Sequence, residues 1–331
     1  MGGIMNILVT GGTGFTGAAL VLRLLELGHS VTSLDNQPGI FYKELEQKGA
    51  TLITGSITDR QTVNKATKDI DFVYHLAAAF RKINVPDSYY YDVNVNGTRW
   101  VLEAAAANNV KRVVYCSTQG VHGHVETPPG DENSPIAPAD YYQQTKYEGE
   151  EVTQEFIKKG MNCVILRPTA MYGPGDPERF YMIFKRVKKG VFPMFGSGKT
   201  FYHPLYIDNL VDAFVLTLDL EKGTGGTYLI GDEDYVPIKV LVKKVAKAMD
   251  MPVKIPHYPI LPLIVAGHVC EKICKPIKIP PPIFPRRVDW FRQVRAFSID
   301  KAKRELNYVA RVDLDEGLKR TADWYKEKGY L

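Results

Sequence analysis

Residues 7–17, Ile-Leu-Val-Thr-Gly-Gly-Thr-Gly-Phe-Thr-Gly, restrict what this chain can fold into more than any other stretch. A short apolar run leads into Gly11, Gly14 and Gly17, and Leu20, Leu24 and Leu27 then recur at helical spacing. The glycines therefore sit where a buried strand passes into an amphipathic helix. Gly11 there permits a tight turn, Gly14 admits a pyrophosphate to the backbone, and Gly17 lets helix and strand pack closely. Free N–H groups and the positive end of the helix dipole favour an anion at that point. Asp35 closes the next apolar run, 29–34, at the position where an acid holds ribose hydroxyls. An acid repels a ribose phosphate, and Asn36, Gln37 and Pro38 bring no cation, so the pattern predicts NAD over NADP.

Strands are predicted at 7–9, 31–34, 51–53, 72–75, 112–116 and 163–166, with helical periodicity between them. Strict alternation predicts an α/β fold, a doubly wound parallel sheet with ligands at the carboxyl ends of its strands. Long helices are expected at 87–109 and 138–159, the second entered at Pro135 and Pro138. Past Arg167 the alternation breaks in a loop with Pro168, Gly173, Pro174, Gly175 and Pro177. A helix at 208–218 and a strand at 228–230 return to the sheet. The expected organisation is a dinucleotide-binding domain over 1–170, rejoined by 204–232, and a smaller, mostly helical substrate lobe from 171–203 and 233–331.

Composition narrows the classes. At 331 residues and 45% hydrophobic the chain can bury a large core. A net charge of +5 without a lysine or arginine run excludes a nucleic-acid arm. Cys116, Cys163, Cys270 and Cys274 lack metal-ligand spacing; reduced thiols and no metal are expected, as in a cytoplasm. The start has no basic region and does not read as a signal peptide. The apolar stretch 260–270, with Pro262 and His268, is too short to span a bilayer. A helix covering an apolar site is expected there, with a helix resting on a membrane surface as the alternative. Pro280, Pro281 and Pro282 make a local stiff turn.

Tyr142 and Lys146 stand four apart on the second long helix, hence on one face. An ammonium beside a phenol lowers its pKa from about 10, making it an acid/base near neutral pH. Such pairs also occur on ordinary surface helices, so this one gains meaning from the dinucleotide turn.

Several stretches combine with this pair: Thr10-Gly11-Gly12-Thr13-Gly14-Phe15-Thr16-Gly17, His75-Leu76-Ala77-Ala78, Asn94-Val95-Asn96-Gly97-Thr98, Ser117-Thr118 with Val121-His122-Gly123, Tyr142-Gln143-Gln144-Thr145-Lys146, and Arg167-Pro168 with Tyr172-Gly173-Pro174-Gly175. Together they resemble the extended short-chain dehydrogenase/reductase superfamily, of the NAD-dependent epimerase/dehydratase type, over most of the chain. The resemblance implies a Rossmann-type fold, bound NAD and a small-molecule substrate. It implies that Tyr142 is the acid/base and that Lys146 binds the nicotinamide ribose and tunes Tyr142. Thr118, five before Gly123, would bind the reacting oxygen in preference to Ser117. Cofactor contacts are implied for Gly11, Thr13, Gly14, Phe15, Thr16, Gly17, Asp35, Asn36, Ser56, Ile57, Leu76, Ala77, Ala78, Asn94, Cys116 and Pro168, besides Tyr142 and Lys146. Ser56 departs from the aspartate that relatives often place near the adenine, while Ile57 keeps an apolar wall. A homodimer through the two long helices, a four-helix interface, is also implied.

Three branches compete. Dehydratases need an Asp-Glu pair after the hydroxyl residue, and Gln119 and Gly120 stand there. Nucleotide-sugar epimerases remain open, although Ala170 replaces the asparagine many of them carry. Arg286, Arg287, Arg292 and Arg295 either grip a diphosphate or form a solvated face. The carboxyl part resembles the 3β-hydroxysteroid dehydrogenase/dihydroflavonol reductase branch in His203-Pro204-Leu205-Tyr206-Ile207-Asp208-Asn209, the 260–270 stretch with its prolines, and Phe297-Ser298-Ile299-Asp300-Lys301-Ala302. Substrate candidates are Phe80, Gln119, Ala170, Met171, Tyr172 and His203, with structural or core readings standing beside His203, His122, Phe80, Met171, Tyr172 and Tyr206. The expectation is an NAD-dependent oxidoreductase acting on a secondary alcohol or ketone of a small or lipophilic substrate. The alternatives are a UDP-sugar 4-epimerase with tightly held NAD and, third, a non-catalytic NAD(H) sensor.

Overall fold

Apolar runs rich in β-branched residues become central strands because both faces of a parallel sheet are covered. The computed structural model describes residues 3–80, 85–176, 179–274 and 288–331; Pro177, Pro280, Pro281, Pro282, Arg286 and Arg287 lie outside them. The strands are β1 (Asn6–Thr10), β2 (Ser30–Asp35), β3 (Thr51–Thr54), β4 (Phe72–His75), β5 (Arg112–Cys116) and β6 (Cys163–Pro168). With Thr227–Ile230 they form one seven-stranded sheet in the order Thr227–Ile230, β6, β5, β4, β1, β2, β3. Every pairing in it is parallel. Strand order reverses between β1 and β4, which opens a crevice at their carboxyl ends.

Helices cover both faces. α1 (Phe15–Glu26) buries Leu20, Val21 and Leu24, α2 is Tyr42–Gln47, and α3 (Arg60–Ala66) is capped by Asp59, which accepts from Gln61 N. The helix expected over 87–109 is three pieces: α4 (Asp87–Tyr91), a π-helical turn Asp92–Asn96, and α5 (Gly97–Ala107). The wider turn carries Asn94, whose side chain is 1% exposed, and such bulges cluster at functional positions. α6 (Tyr141–Lys158) starts later than expected from Pro138, because Asp140 is its cap and accepts from Gln143 N at 2.9 Å.

Of the later segments, helix Ile207–Leu216 packs on α1 and Thr227–Ile230 pairs with β6. One apolar cluster runs from Leu20 and Val114 through Tyr172 and Phe180 to Leu318 and Tyr325. Helix Leu261–Cys274 forms within the stretch where a helix is expected and leaves much of its apolar surface outside. Gly267 is its one fully buried residue, and Leu261, Val265, Val269 and Ile273 are 67%, 56%, 51% and 62% exposed. A helix apolar on all sides can seat only one face on the body, so the other is left outside. Among the described residues no helix is long and apolar enough to cross a membrane, and no group of three or more His, Cys, Asp or Glu could hold a metal.

Candidate functional site

The glycine turn at the end of β1 is fixed by backbone contacts. Gly11 has φ +72° and donates to Leu34 O at 2.8 Å, and a Cβ on it would lie 2.9 Å from Ala77 N and Cα. A Cβ on Gly17 would collide with Gly11 O and Gly12 Cα, so no other residue fits between helix and turn. Gly14 is different: it is exposed, and a Cβ there would meet only Gly11 O at 3.4 Å. Its solvent side is the cradle a pyrophosphate needs. Asp35, half-buried at the end of β2, accepts from Thr13 N at 3.2 Å and Thr13 Oγ1 at 2.8 Å through Oδ2. Thr13 therefore ties the turn to the acid. Asn36 is exposed beside it.

Neighbouring strand ends complete the crevice. Ala77 N donates to Thr10 Oγ1 at 3.2 Å and Leu76 N to Thr10 O at 3.1 Å, which lays the half-buried Leu76, Ala77 and Ala78 along the turn. Ile57, 5% exposed, packs on Gly97 at the start of α5. The Ser56 hydroxyl is spent locally, 2.7 Å from Thr58 Oγ1. Phe15 and Thr16 are half-buried at the start of α1, where Thr16 Oγ1 donates to Met171 Sδ at 3.4 Å. Pro168 is buried at the end of β6. An exposed glycine cradle, an acid ending β2 and an apolar wall suit a dinucleotide.

At the end of β5, burial pushes the Cys116 thiol up to about 11, against the nearby Lys146 charge, so it stays protonated. Thr118 Oγ1 accepts from Gly120 N at 3.0 Å and caps the 3-10 turn Gln119–His122. On α6, Tyr142 is half-buried with its ring 4.9 Å from that of Phe80. Lys146, one turn later, is 2% exposed, and its Nζ lies 4.1 Å from the centroid of the Tyr115 ring. The Tyr115 hydroxyl donates back to Lys146 O at 3.1 Å. Burial pulls the lysine down to about 8, with Cys116 and Glu150 acting in the opposite direction. It remains an ammonium at neutral pH.

Asn94 is a clamp. Its Oδ1 accepts from Ala79 N at 2.8 Å and its Nδ2 donates to Thr145 Oγ1 at 2.9 Å, joining the loop after β4 to α6. Sequence reasoning gave it a place along the cofactor and did not foresee this bridge.

A second network was missed altogether. Ser117 Oγ donates to Glu150 Oε1, and Arg167 grips Glu150 through Nε at 2.9 Å and Nη2 at 2.6 Å. Arg167 Nη1 donates to His122 Nε2 at 3.0 Å, so that ring is neutral and donates through Nδ1 to Ser134 O and Pro135 O. Burial, then the Arg167 charge, holds the His122 pKa low. A companion relay runs Thr10, His75, Thr98, Asn94, at 2.7, 3.0 and 2.7 Å. Burial holds His75 near a pKa of about 3, with Lys146 adding to the shift. One signal was available for the first network: Glu150 continues the four-residue spacing of Tyr142 and Lys146.

The substrate candidates divide. Phe80 is 39% exposed against Tyr142, and Gln119 is 4% exposed with its Oε1 lacking a hydrogen-bond partner. Met171 is half-buried against Thr16. Ala170 and Tyr172 are core residues, 1% and 0% exposed, and Tyr172 stacks on Phe180 at 4.5 Å. His203 is 2% exposed; its Nε2 donates to Asp232 O at 2.8 Å and its Nδ1 accepts from Phe297 N. Burial lowers His203 to about 4, which makes it a neutral structural ring. Of the arginines, Arg292 pairs with Asp289 at 3.7 Å and Arg295 donates to Gln293 Oε1.

Comparison with known proteins adds to this geometry. The model of the NAD dependent epimerase/dehydratase family matches residues 7–231. The chain is 31% identical to N-acetyl-alpha-D-glucosaminyl-diphospho-ditrans,octacis-undecaprenol 4-epimerase of Escherichia coli O157:H7, over 96% of this chain and 95% of that one. It is 30% identical to the 3 beta-hydroxysteroid dehydrogenase/Delta 5-->4-isomerase of Mycobacterium tuberculosis, over 97% and 90%. In fold it is similar to UDP-glucose 4-epimerase of Thermotoga maritima, with a TM-score of 0.80 at 24% identity, covering 98% and 99%.

Proposed function

Because the chain belongs to the NAD-dependent epimerase/dehydratase family, within the extended short-chain dehydrogenase/reductase superfamily, we propose that it interconverts a secondary alcohol and a ketone on a lipophilic substrate. NAD, when bound, supplies a hydride acceptor and donor beside the reacting carbon. Tyr142 takes the proton from the substrate hydroxyl in oxidation and returns it in reduction. The Lys146 ammonium, one turn away, favours the phenolate form of Tyr142. Thr118 Oγ1 already accepts from Gly120 N, which leaves its O–H to donate to the substrate oxygen as charge develops there. The Glu150 and Arg167 pair holds Ser117, and through the chain Thr118, opposite α6.

The observation that carries this reading is a lysine 2% exposed, one helical turn from the tyrosine, at the carboxyl ends of the strands. A charge so deeply placed costs stability unless it serves a site. A sensor would need Lys146 only for the nicotinamide ribose and has no use for Tyr142 beside it.

A second reading, 4-epimerisation of a sugar carried on a nucleotide or lipid diphosphate, is favoured by the 31% identical relative whose name states that activity. The same three side chains serve it, with the hydride returned to the opposite face. We place substrate specificity in a lobe of 171–203 and 233–331, and a second copy of the chain across α5 and α6. Purified protein and NAD, offered sterol-like alcohols, UDP-sugars and polyprenyl-diphosphate sugars, separates the readings. Sustained growth of NADH absorbance with the alcohols supports the first. Sugar interconversion without net NADH replaces it with the second, and no turnover of any class defeats both.

A further inference from the structure

Helix Leu261–Cys274 exposes more large apolar side chains than any other element of the described structure: Leu261, Val265, Val269 and Ile273, spaced four apart. The spacing aligns them in one slowly turning stripe, and Pro262 and Ala266, also exposed, widen it. Lys272 borders its end, exposed as well.

The surroundings of this stripe are basic. Residues 179–203 contain six lysines and arginines and no acid, and residues 235–274 contain six against Asp250 and Glu271, of which Lys244 is paired with Asp315 at 2.7 Å. Since the whole chain carries only +5, the remainder is net acidic. The two basic segments are joined: His257–Tyr258 pairs with Met194–Phe195, and Val191 bridges Lys254. Lys188, Lys189 and Lys254 are exposed there, and Tyr258, at 47%, lies three residues before the start of the helix. The strand pairings thus connect the aliphatic stripe, an exposed tyrosine and exposed lysines along one part of the described structure.

We propose that this edge docks on an anionic lipid bilayer, with the helix lying flat and its Leu261-to-Ile273 stripe entering the boundary between headgroups and acyl chains. At 14 residues the helix cannot span a bilayer but suits the interface. Lysines reach headgroup phosphates while their stems stay against apolar surface, and the excess of positive charge selects anionic over zwitterionic lipid. A protein partner is a poorer fit, because the helix itself offers neither the aromatic nor the arginine anchors typical of interface centres. The inference is independent of which alcohol or sugar is turned over.

Flotation of the whole protein with vesicles of phosphatidylcholine plus phosphatidylglycerol, and of phosphatidylcholine alone, tests it. Two variants accompany the wild type: Val265→Glu with Val269→Glu, and, on a separate element, Lys188→Glu with Lys189→Glu. All four positions are exposed, and unchanged thermal unfolding and NAD binding check the fold. The expected result is binding to the mixed vesicles that weakens with salt and on neutral lipid, with each double variant losing at least about tenfold in partitioning. Failure of the wild type to float, or variants that float as it does, overturns the proposal. So does a change in particle mass of the Val265/Val269 variant without lipid, which assigns the stripe to a second copy. Lost turnover of a water-soluble substrate with vesicle binding unchanged assigns it to covering the site.

Discussion

The glycine turn and helix Leu261–Cys274 are both glycine-containing apolar stretches, and the structure treats them in opposite ways. At the turn, Gly17 has backbone atoms of Gly11 and Gly12 where a side chain would go, and Ile7, Leu8 and Val9 are wholly buried. On the helix, Gly267 alone is fully buried, and large aliphatic side chains stand in solvent. Local pattern and tertiary setting agree at the first because the apolar run has a sheet to enter. At the second, no layer among the described residues covers the outer face, so the same composition yields a surface. Rigid positioning of reacting groups belongs to the first kind of region. Adaptable contact belongs to the second.

Substitutions break or sharpen that contrast. The largest effect is expected from Tyr142→Phe, which should lower kcat by about 100- to 10,000-fold while NAD binding and thermal unfolding stay close to the wild type; assay of turnover against calorimetric NAD titration reads both. Retained turnover would remove Tyr142 from the proposed chemistry. Glu150→Gln leaves the Arg167 guanidinium buried without its carboxylate and should cost about 3–5 kcal/mol in denaturant unfolding. It also withdraws a negative charge that helps keep Lys146 an ammonium. The alkaline limb of the activity profile governed by Lys146 should therefore move to lower pH, a shift that simple loss of stability would not produce. Gly17→Ala drives a methyl into the Gly11 carbonyl and should cost about 1–3 kcal/mol and weaken NAD binding, read by the same unfolding and titration.

A smaller effect lies beside the sheet. Asp232, buried after strand Thr227–Ile230, has its pKa raised to about 6 by burial, although Tyr206 N and Asn209 Nδ2 donate to its Oδ1. A carboxyl raised in the folded state binds its proton more tightly there than when unfolded. Its contribution to stability is therefore favourable at low pH and is lost as pH rises from near 4 through about 6. Asp232→Asn keeps an acceptor for both donors and does not titrate. It should gain on the order of 1–2 kcal/mol at pH 7 and nothing near pH 4, measured as unfolding midpoints across pH. The smallest change is expected from Val265→Ser on the exposed stripe, within about 0.5 kcal/mol in solution without lipid. A large loss there would mean that the stripe is packed and would erase the contrast.

Legibility followed the same division. Each sheet strand was readable to within a residue or two, because a strand buried on both faces announces itself as a short unbroken apolar run. The tight turn at Gly11 and Gly17, with Asp35 ending β2, was readable because close backbone packing there leaves room for glycine alone. The pairing of Tyr142 with Lys146 was readable as spacing alone. The depth of Lys146, its seat on the Tyr115 ring and the grip of Arg167 on Glu150 were not, since they join β5, β6 and α6 across separations the sequence does not relate. Tyr172 and His203 were ambiguous for the same reason: an aromatic or imidazole side chain carries no local mark of which way it faces.

What the sequence determined by itself is therefore the order of strands and helices, the glycine turn and the four-residue spacing of Tyr142 and Lys146, all set by interactions within a few residues. The tertiary structure alone decided which charged groups lost their water, which hydrogen bonds joined distant strand ends, and which apolar face stayed outside. Desolvation and burial depend on what packs against a side chain, and that is fixed only when the whole chain has closed around it.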